Sequence, residues 1–183
     1  AVATGLDAPE SYQETGFIDD IHTFDYAYFR LSKREASLID PQQRLALVAA
    51  HRAIEDAGYS TASLQDSATA VVLSAAASTY PAAWAEPGVL GTLGNVPMAV
   101  PARIAYVSGL RGPCYAVDSG CNASLIAVHQ ACRELRDGDA YYALAGGISL
   151  RTAGIRNRMA EGYTELMSAS GRCRAFDADA DGT

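Results

Sequence analysis

The fourteen residues from Gly112 to Leu125, GPCYAVDSGCNASL, constrain the fold of this chain more than any other stretch. Residues 114–117 are apolar or β-favouring and predict a buried strand. Residues 118–120 are turn-forming, with a glycine where the backbone must bend sharply. From Cys121 onwards the apolar residues follow the period of a helix. The stretch therefore predicts a strand, a tight turn and a helix that begins at a cysteine.

The predicted helix after Cys121 has one apolar stripe and a clear end. Its stripe consists of Leu125, Val128, Cys132 and Leu135, spaced at three, four and three residues. A glycine at position 138 supplies the stop signal. This pattern predicts an amphipathic helix with the stripe facing the core.

A cysteine at such a turn is suited to nucleophilic catalysis. The strand fixes the position of the thiol, and the turn exposes it to a substrate. The unpaired N–H groups and the positive end of the helix dipole stabilise a thiolate there. The same N–H groups can hold the oxyanion that forms when a thiolate attacks a carbonyl. The sequence thus predicts Cys121 as the catalytic nucleophile.

The other three cysteines are predicted to be structural. Cys114 lies within the predicted strand, where apolar neighbours leave its pKa normal or raised and its thiol inert. Cys132 belongs to the apolar stripe, and Cys173 lies between two arginines in a predicted loop. The cysteines show neither a CxxC motif nor metal-ligand spacing, which favours reduced thiols and a cytoplasmic location.

None of the three histidines is predicted to be the base that activates Cys121. His129 lies eight residues further along the predicted helix, about 12 Å away at 1.5 Å per residue, beyond hydrogen-bond reach. For His51, on another predicted helix, a structural role is favoured. His22 lies in an aromatic and acidic entry segment and has no assignable partner.

A second helix is predicted from residue 41 to about residue 57. Asp40 suits the N-cap, Pro41 suits the first helical position, and Gln43 completes the pattern of a capping box. Gly58 provides the stop.

Two further strands and one helix are predicted around these elements. Residues 69–75 form a plausible buried strand, and residues 141–149 are nearly all apolar, as in a central strand covered on both faces. Residues 94–112 predict a helix that either begins at Pro101 or bends there.

Composition excludes several classes of function. The chain has 183 residues, enough for one domain or part of one, with a formal net charge of −7 and a pI near 4.8. This charge argues against binding to nucleic acid or to an anionic membrane surface. No apolar run approaches the ~18 residues of a membrane span, and no signal peptide is recognisable.

Asp177, Asp179 and Asp181 match the opening of a calcium loop, but its glutamate is missing, so no metal site is predicted.

Several of these stretches resemble the ketosynthase (β-ketoacyl synthase) domains of modular type I polyketide synthases. Residues 112–113 and 117–125 resemble the active-site stretch of that family. Four other stretches resemble its further motifs: residues 40–44 (DPQQR), 94–112, 143–147 (ALAGG) and 168–182. The resemblance implies an α/β thiolase-like fold with αβαβα layers, of which residues 1–183 are the N-terminal part of one domain without an internal boundary.

The resemblance also implies an activity. Cys121 would take an acyl chain from the phosphopantetheine thioester of an acyl carrier protein, and the domain would condense it with a second, decarboxylating thioester. It implies no cofactor of its own. Expected partners are the carrier protein, the remainder of the ketosynthase domain or synthase, and a second copy in a homodimer. The family's two catalytic histidines, in HGTGT and NxGH motifs, belong to its second half, so this chain alone is expected to be inactive in condensation.

Two alternatives stay open at the level of sequence. Asn122 and Ala123 replace the usual serines, and His51 replaces a usual tryptophan, which leaves room for a non-condensing ketosynthase that holds or passes an acyl chain. An acidic structural fragment without activity is the other reading. Residues 161–163 and 181–183 also suggest, weakly, a synthase whose acyltransferase acts in trans.

Overall fold

The structure is a computed structural model, and it describes residues 18–80, 88–150, 152, 168, 170 and 172–182. The chain divides into two compact units. One contains residues 20–153, and the other combines residues 1–19 with residues 154–183. The larger unit holds all the helices and strands described below. Of the stretches behind the trans-acyltransferase suggestion, residues 161–163 and residue 183 lie outside the described residues.

A three-stranded parallel sheet organises the larger unit. Its strands are β1 (Thr69–Ala75), β2 (Cys114–Ala116) and β3 (Tyr142–Ile148), in the spatial order β2-β1-β3. Val71 pairs with Cys114 on one side and with Leu144 on the other. Central strand β1 is the most buried of the three, as its run of β-branched and small residues predicts.

The described part of the chain contains five α-helices: two precede β1, two lie between β1 and β2, and one lies between β2 and β3. They are α1 (Lys33–Leu38), α2 (Pro41–Asp56), α3 (Val89–Leu93), α4 (Ala99–Ser108) and α5 (Ala123–Asp137). A 3₁₀ turn, Gly120–Asn122, lies between β2 and α5. None of the described helices is long and apolar enough to cross a membrane.

Helices cover both faces of β1, so the larger unit is a layered α/β structure. On one face, Val71 packs with Ile54 of α2 and Ile104 of α4. On the other face, Ala70 and Val72 belong to a cluster with alanines of α5. Alternate residues of β1 point to opposite sides, which is why one short strand serves two cores. The α/β class predicted from the sequence is confirmed.

The beginning of α2 differs from the predicted capping box. Asp40 is the N-cap, and its Oδ1 accepts the N–H of Gln42 at 2.7 Å. The N–H of Asp40 itself donates to the carbonyl of Gly94 at 2.8 Å, so it is not free for a side chain. Gln43 therefore does not reach back, and its Nε2 donates to the carbonyl of Leu93 at 2.9 Å. The predicted N-cap is confirmed. The predicted capping box is wrong, because the Asp40 N–H that it requires is already bonded to the carbonyl of Gly94.

The apolar stripe predicted for α5 does not face the core. The residues that α5 buries are Ala123, Ala127 and Ala131, whereas Leu125 is 73% exposed and Val128 is 45% exposed. Small side chains allow the helix to lie close to the sheet. The larger apolar residues of α5 therefore face away from it.

The edges of the sheet are also more open than predicted. Cys114 of β2 is exposed, and Tyr142, Ala145 and Gly147 of β3 are exposed as well. In this chain β3 is not covered on both faces, and β2 is not a buried strand. The positions of both strands in the sequence are nevertheless as predicted, to within one residue at each end.

Helix α4 begins at Ala99, two residues before Pro101. The proline thus lies in the first turn, where its missing N–H would have had no intrahelical acceptor.

The short helix α1 is not predicted by the sequence patterns. Ser32 caps it by accepting the N–H of Glu35 at 3.1 Å.

Candidate active site at the turn between β2 and α5

Cys121 lies in the middle of the 3₁₀ turn between β2 and α5, and its side chain is exposed. The α-helix itself begins two residues later, at Ala123. The strand–turn–helix arrangement predicted from the sequence is thus present, with the cysteine just before the α-helix rather than at its first residue. A thiol in this position is held by the backbone and is open to a substrate.

The turn is fixed by hydrogen bonds of its own residues. Asp118 Oδ1 accepts the N–H of Gly120 at 3.2 Å, and Ser119 Oγ donates to Asn122 Oδ1 at 2.8 Å. Gly120 has a φ of 68°, in the left-handed region that glycine enters without steric cost. These contacts hold the backbone immediately before and after Cys121.

A close approach of β3 and α5 fixes the helix against the sheet. A Cβ atom at Gly147 would lie 2.9 Å from the Cβ of Ser124 and 2.7 Å from the Oγ of Ser74. Glycine is therefore required at this position of β3 if the first turn of α5 is to keep its place. Ser124 lies three residues after Cys121, so this packing holds the part of α5 that directly follows the turn.

A second close approach fixes the start of β2. A Cβ atom at Gly112 would lie 2.4 Å from the carbonyl carbon of Thr69 and 2.7 Å from the backbone nitrogen of Ala70. These are backbone atoms of β1 and cannot rotate away. The glycine before β2 is thus required for the two strands to pair.

A hydrogen bond ties β2 to the last turns of α5. Tyr115 Oη donates to Glu134 Oε1 at 2.7 Å. Burial, followed by the contact with the Glu134 carboxylate, raises the pKa of Tyr115 to about 12. The bond links the strand that precedes the turn to the helix that follows it, and the sequence patterns did not predict it.

The other cysteines occupy different surroundings. Although Cys114 as a residue is exposed, partial burial of its thiol raises its pKa, in the direction predicted for a strand cysteine. Cys132 is half-buried on α5, and Cys173 is exposed in the smaller unit.

Among the described residues, none of the three histidines forms a hydrogen bond with Cys121. His51 Nε2 lies 3.0 Å from Tyr28 Oη and 3.3 Å from Glu55 Oε1, on the face of the sheet opposite α5. It lines a cavity of about 550 Å³ on that face. His129 is exposed on α5, and the structural role predicted for His51 agrees with these contacts.

The aspartates that match a calcium loop are engaged in hydrogen bonds within the smaller unit. Asp181 Oδ1 accepts from Ser168 Oγ at 2.6 Å, and this bond lowers the pKa of Asp181. Asp177 Oδ1 accepts the N–H of Asp179 at 2.9 Å. Among the described residues, no group of three histidine, cysteine or acidic side chains could hold a metal ion.

Comparison with known proteins now identifies the family. Residues 4–183 match the family described as "Beta-ketoacyl synthase, N-terminal domain". The chain belongs to this family. The ketosynthase resemblance of the sequence motifs is thereby confirmed.

Curated relatives are polyketide synthases. Polyketide synthase GfsA of Streptomyces halstedii is 43% identical over 179 residues, which cover 92% of this chain and 2% of that protein. Erythronolide synthase EryA3 of Saccharopolyspora erythraea is 42% identical over 182 residues, covering 94% of this chain and 6% of that protein. The chain therefore spans a small part of the curated relatives that it matches.

Solved ketosynthases share the fold. The ketosynthase from module 6 of the bacillaene synthase of Bacillus subtilis 168 superposes with a TM-score of 0.78 at 34% identity, covering 91% of this chain and 29% of that structure. The oxazolomycin ketosynthase domain OzmH KS7 of Streptomyces albus JA3453 gives 0.77 at 34% identity, covering 91% and 30%. The thiolase-like ketosynthase fold is confirmed, and this chain contains part of it.

Proposed function

We propose that this chain supplies the nucleophile of a polyketide synthase ketosynthase, and that Cys121 is the residue that carries the acyl chain. The observation that carries the proposal is the exposed cysteine between a parallel strand and a helix, in a chain of the β-ketoacyl synthase family. The family match favours a condensing role over a module that only holds or docks an acyl chain.

The acyl-transfer step follows from this geometry. The Cys121 thiolate attacks the carbonyl carbon of an acyl thioester on the phosphopantetheine arm of a carrier protein. The carbonyl oxygen becomes an oxyanion, which the N–H of Cys121, at the start of the helical segment, can stabilise. The intermediate then collapses and expels the phosphopantetheine thiolate, which takes up a proton. The product is an acyl thioester on Cys121.

The condensation step needs groups beyond those that the described residues place at the turn. Loss of CO₂ from the second thioester produces a carbanion equivalent, which attacks the Cys121 thioester and releases the thiol. In the family this step uses the two histidines of the second half. We therefore expect this chain alone to accept an acyl group but not to condense it.

Partners and location follow the same proposal. An acyl carrier protein would deliver the substrates, the remainder of the ketosynthase would complete the site, and the complete domain would form a homodimer in the cytoplasm. The domain would need no cofactor of its own, since phosphopantetheine belongs to the carrier protein. Size-exclusion chromatography with light scattering on the complete domain tests the dimer directly.

The experiment that tests the nucleophile is competitive alkylation. The complete ketosynthase domain carrying this sequence is treated with limiting iodoacetamide near pH 6, and labelled peptides are mapped by mass. We expect Cys121 to be labelled well ahead of Cys114, Cys132 and Cys173. Prior acylation with an acyl N-acetylcysteamine thioester should protect Cys121, and Cys121→Ala should abolish acyl loading. Equal labelling of all four cysteines would contradict the proposal.

A further inference from the structure

The side chain of Gln42 joins the ends of two strands of the sheet. Gln42 lies in the first turn of α2 and is 2% exposed. Its Nε2 donates to the carbonyl of Ala76, the residue that follows β1, at 3.2 Å. Its Oε1 accepts the N–H of Leu150, two residues after β3, at 3.1 Å. One buried carboxamide thus contacts both strands just beyond their last paired residues.

These two contacts occupy the position of the next hydrogen bond between β1 and β3. The register pairs Ala75 with Ile148, and the N–H of Ala76 donates to the carbonyl of Ile148 at 3.0 Å. In a parallel pair that continued, the carbonyl of Ala76 would next accept the N–H of Leu150. The Gln42 carboxamide bonds both of these groups instead. The strands therefore separate here, because a side-chain amide stands between them.

The segments beyond this carboxamide are bridged by a second side chain. Thr79 lies after β1, and Thr152 lies after β3. Thr79 Oγ1 accepts the N–H of Thr152 at 3.1 Å, and the two threonine hydroxyls lie 3.1 Å apart. Polar side chains, and not the sheet ladder, therefore determine the spacing of the two strand ends.

Glutamine suits this buried position better than the residues closest to it in shape. Asp40 Oδ1 accepts the backbone N–H of Gln42 at 2.7 Å, and Asp40 Oδ2 accepts from Gln42 Nε2 at 3.3 Å. The carboxamide thus has acceptors for both of its N–H groups and a donor for its oxygen. Methionine has no such groups. A glutamate would bring a second carboxylate next to Asp40 and the Ala76 carbonyl, without the donor that both accept from.

The separated strand ends lie beside the contact that packs α5 against the sheet. Ser74 of β1, Gly147 of β3 and Ser124 of α5 meet at one point. A Cβ atom at Gly147 would lie 2.7 Å from Ser74 Oγ and 2.9 Å from Ser124 Cβ. The two backbone groups that the carboxamide bonds lie two residues after Ser74 and three residues after Gly147. A change in the spacing of the strand ends would therefore act directly on the first turn of α5.

We propose that Gln42 is a positioning residue for Cys121. Its carboxamide sets the separation of β1 and β3 at the carboxyl edge of the sheet. This separation determines where the first turn of α5 packs, and that turn directly follows the 3₁₀ turn that contains Cys121. The inference rests on the proposed function, because it gives Gln42 a part in presenting the thiol for acyl loading. Gln42 acts through the sheet and not by contact with the substrate.

The test compares Gln42→Met with Gln43→Met in the complete ketosynthase domain. Gln43 is the matched control because it is the next residue of α2, is also 2% exposed, and also forms two side-chain bonds. Its partners are the Leu93 carbonyl and Arg103 Nε, which belong to α3 and α4 rather than to strand ends. Both variants leave buried groups unpaired, so both should raise the unfolding equilibrium constant by about 10- to 100-fold.

The measurement that separates the two variants is the rate of acyl loading on Cys121. It uses an acyl N-acetylcysteamine thioester without denaturant, with folding checked by circular dichroism. Gln42→Met should load at least about 10-fold more slowly than the wild type, because a misplaced nucleophile reacts slowly, whereas Gln43→Met should stay within about twofold. If Gln42→Met does not fold, Gln42→Asn takes its place, since its carboxamide is one methylene too short to reach both strands.

Amide hydrogen exchange measured by mass spectrometry provides a readout that does not depend on acyl loading. Exchange in the peptide containing residues 120–125 should be faster in the Gln42 variant than in the wild type, and unchanged in Gln43→Met. The inference is overturned if the Gln42 variant loads as fast as the wild type, if Gln43→Met is slowed equally, or if exchange at residues 120–125 is unchanged. A wild type that is not loaded on Cys121 would instead refute the proposed function, and the exchange comparison would still decide whether Gln42 holds the turn in place.

Discussion

Single glycines decide where the Cys121 thiol lies. Gly147 lets α5 approach β3, Gly112 lets β2 pair with β1, and Gly120 turns the backbone between strand and helix. Only Gly120 was recognisable from the sequence as a turn residue. The other two act through close approaches to residues distant in the chain, and no local pattern indicates those.

Replacement of Gly147 by alanine should push the first turn of α5 away from β3. The added Cβ would contact the Cβ of Ser124, which cannot rotate aside, so we expect a loss of about 1–3 kcal/mol in the free energy of unfolding. Alkylation of Cys121 should also become slower. Urea unfolding and peptide mapping of the complete domain measure both effects.

The neighbouring glycine provides the matched control. At Gly146 the nearest atom to an added Cβ is Leu73 Cδ2 at 3.7 Å, an ordinary contact. Gly146→Ala should therefore change stability by less than about 0.5 kcal/mol. Equal losses for the two variants would show that the close approach at Gly147 does not position the helix.

The conformation of Gly120 gives a second prediction at this scale. Open space surrounds the position, so the cost of Gly120→Ala comes only from the left-handed backbone and should be about 1–2 kcal/mol. Gly120→Asn should cost less, because asparagine enters this region more readily. Thermal or urea unfolding measures the stability of the two variants. If Gly120→Asn is no more stable than Gly120→Ala, the left-handed backbone does not account for the cost.

At the scale of elements, the contact between β2 and α5 matters most for the turn that contains Cys121, because these two elements flank it. Both elements were predicted in the right places, but the face that α5 buries was not. The periodicity of Leu125, Val128 and Leu135 is genuine, yet the alanines between them fit the short distance to the sheet. A stripe of large apolar residues shows that a helix is amphipathic. It does not show which neighbour each face contacts.

Removal of the hydroxyl from Tyr115 should loosen this contact. Tyr115→Phe loses the bond to Glu134 and should cost about 0.5–1.5 kcal/mol near neutral pH. Tyr141→Phe, at an exposed tyrosine immediately before β3, serves as the control and should change little. A similar loss in both variants would argue against a specific role of the bond.

The pH dependence of the same variant is a separate test. The pKa of Tyr115 is raised to about 12 in the folded state, against about 10 for an unperturbed tyrosine. A raised pKa means that the contribution of Tyr115 is complete below pH 10 and is lost as the pH rises towards 12. The stability difference between the wild type and Tyr115→Phe should shrink over this window, and a constant difference would contradict the shift.

At the scale of the whole molecule, the sequence motifs indicated the family, and the comparisons confirm it. Motif spacing predicted where the three strands and the helices α2 and α5 lie along the chain, because glycine, proline or a cap marks their boundaries. It did not predict the order of the strands in the sheet. What it could not predict was burial. The exposure of Cys114 and of much of β3 depends on which layers cover the sheet, and a pattern within one segment carries no information about its distant neighbours.

The division of catalytic work between this chain and the rest of a ketosynthase gives the last prediction. The chain presents an exposed thiol at Cys121, the proposed nucleophile, whereas its His51 is bonded to Tyr28 and Glu55 on the far face of the sheet. Acyl loading needs only the thiol and backbone donors, but decarboxylation needs groups that act on the second thioester.

We therefore expect the complete domain to load an acyl thioester and to release CO₂ from a malonyl thioester. This chain alone should release none, with or without Cys121→Ala, as measured by trapping ¹⁴C-labelled CO₂. Release from the chain alone that depends on Cys121 would mean that the turn between β2 and α5 contains more of the catalytic machinery than a nucleophile and an oxyanion donor.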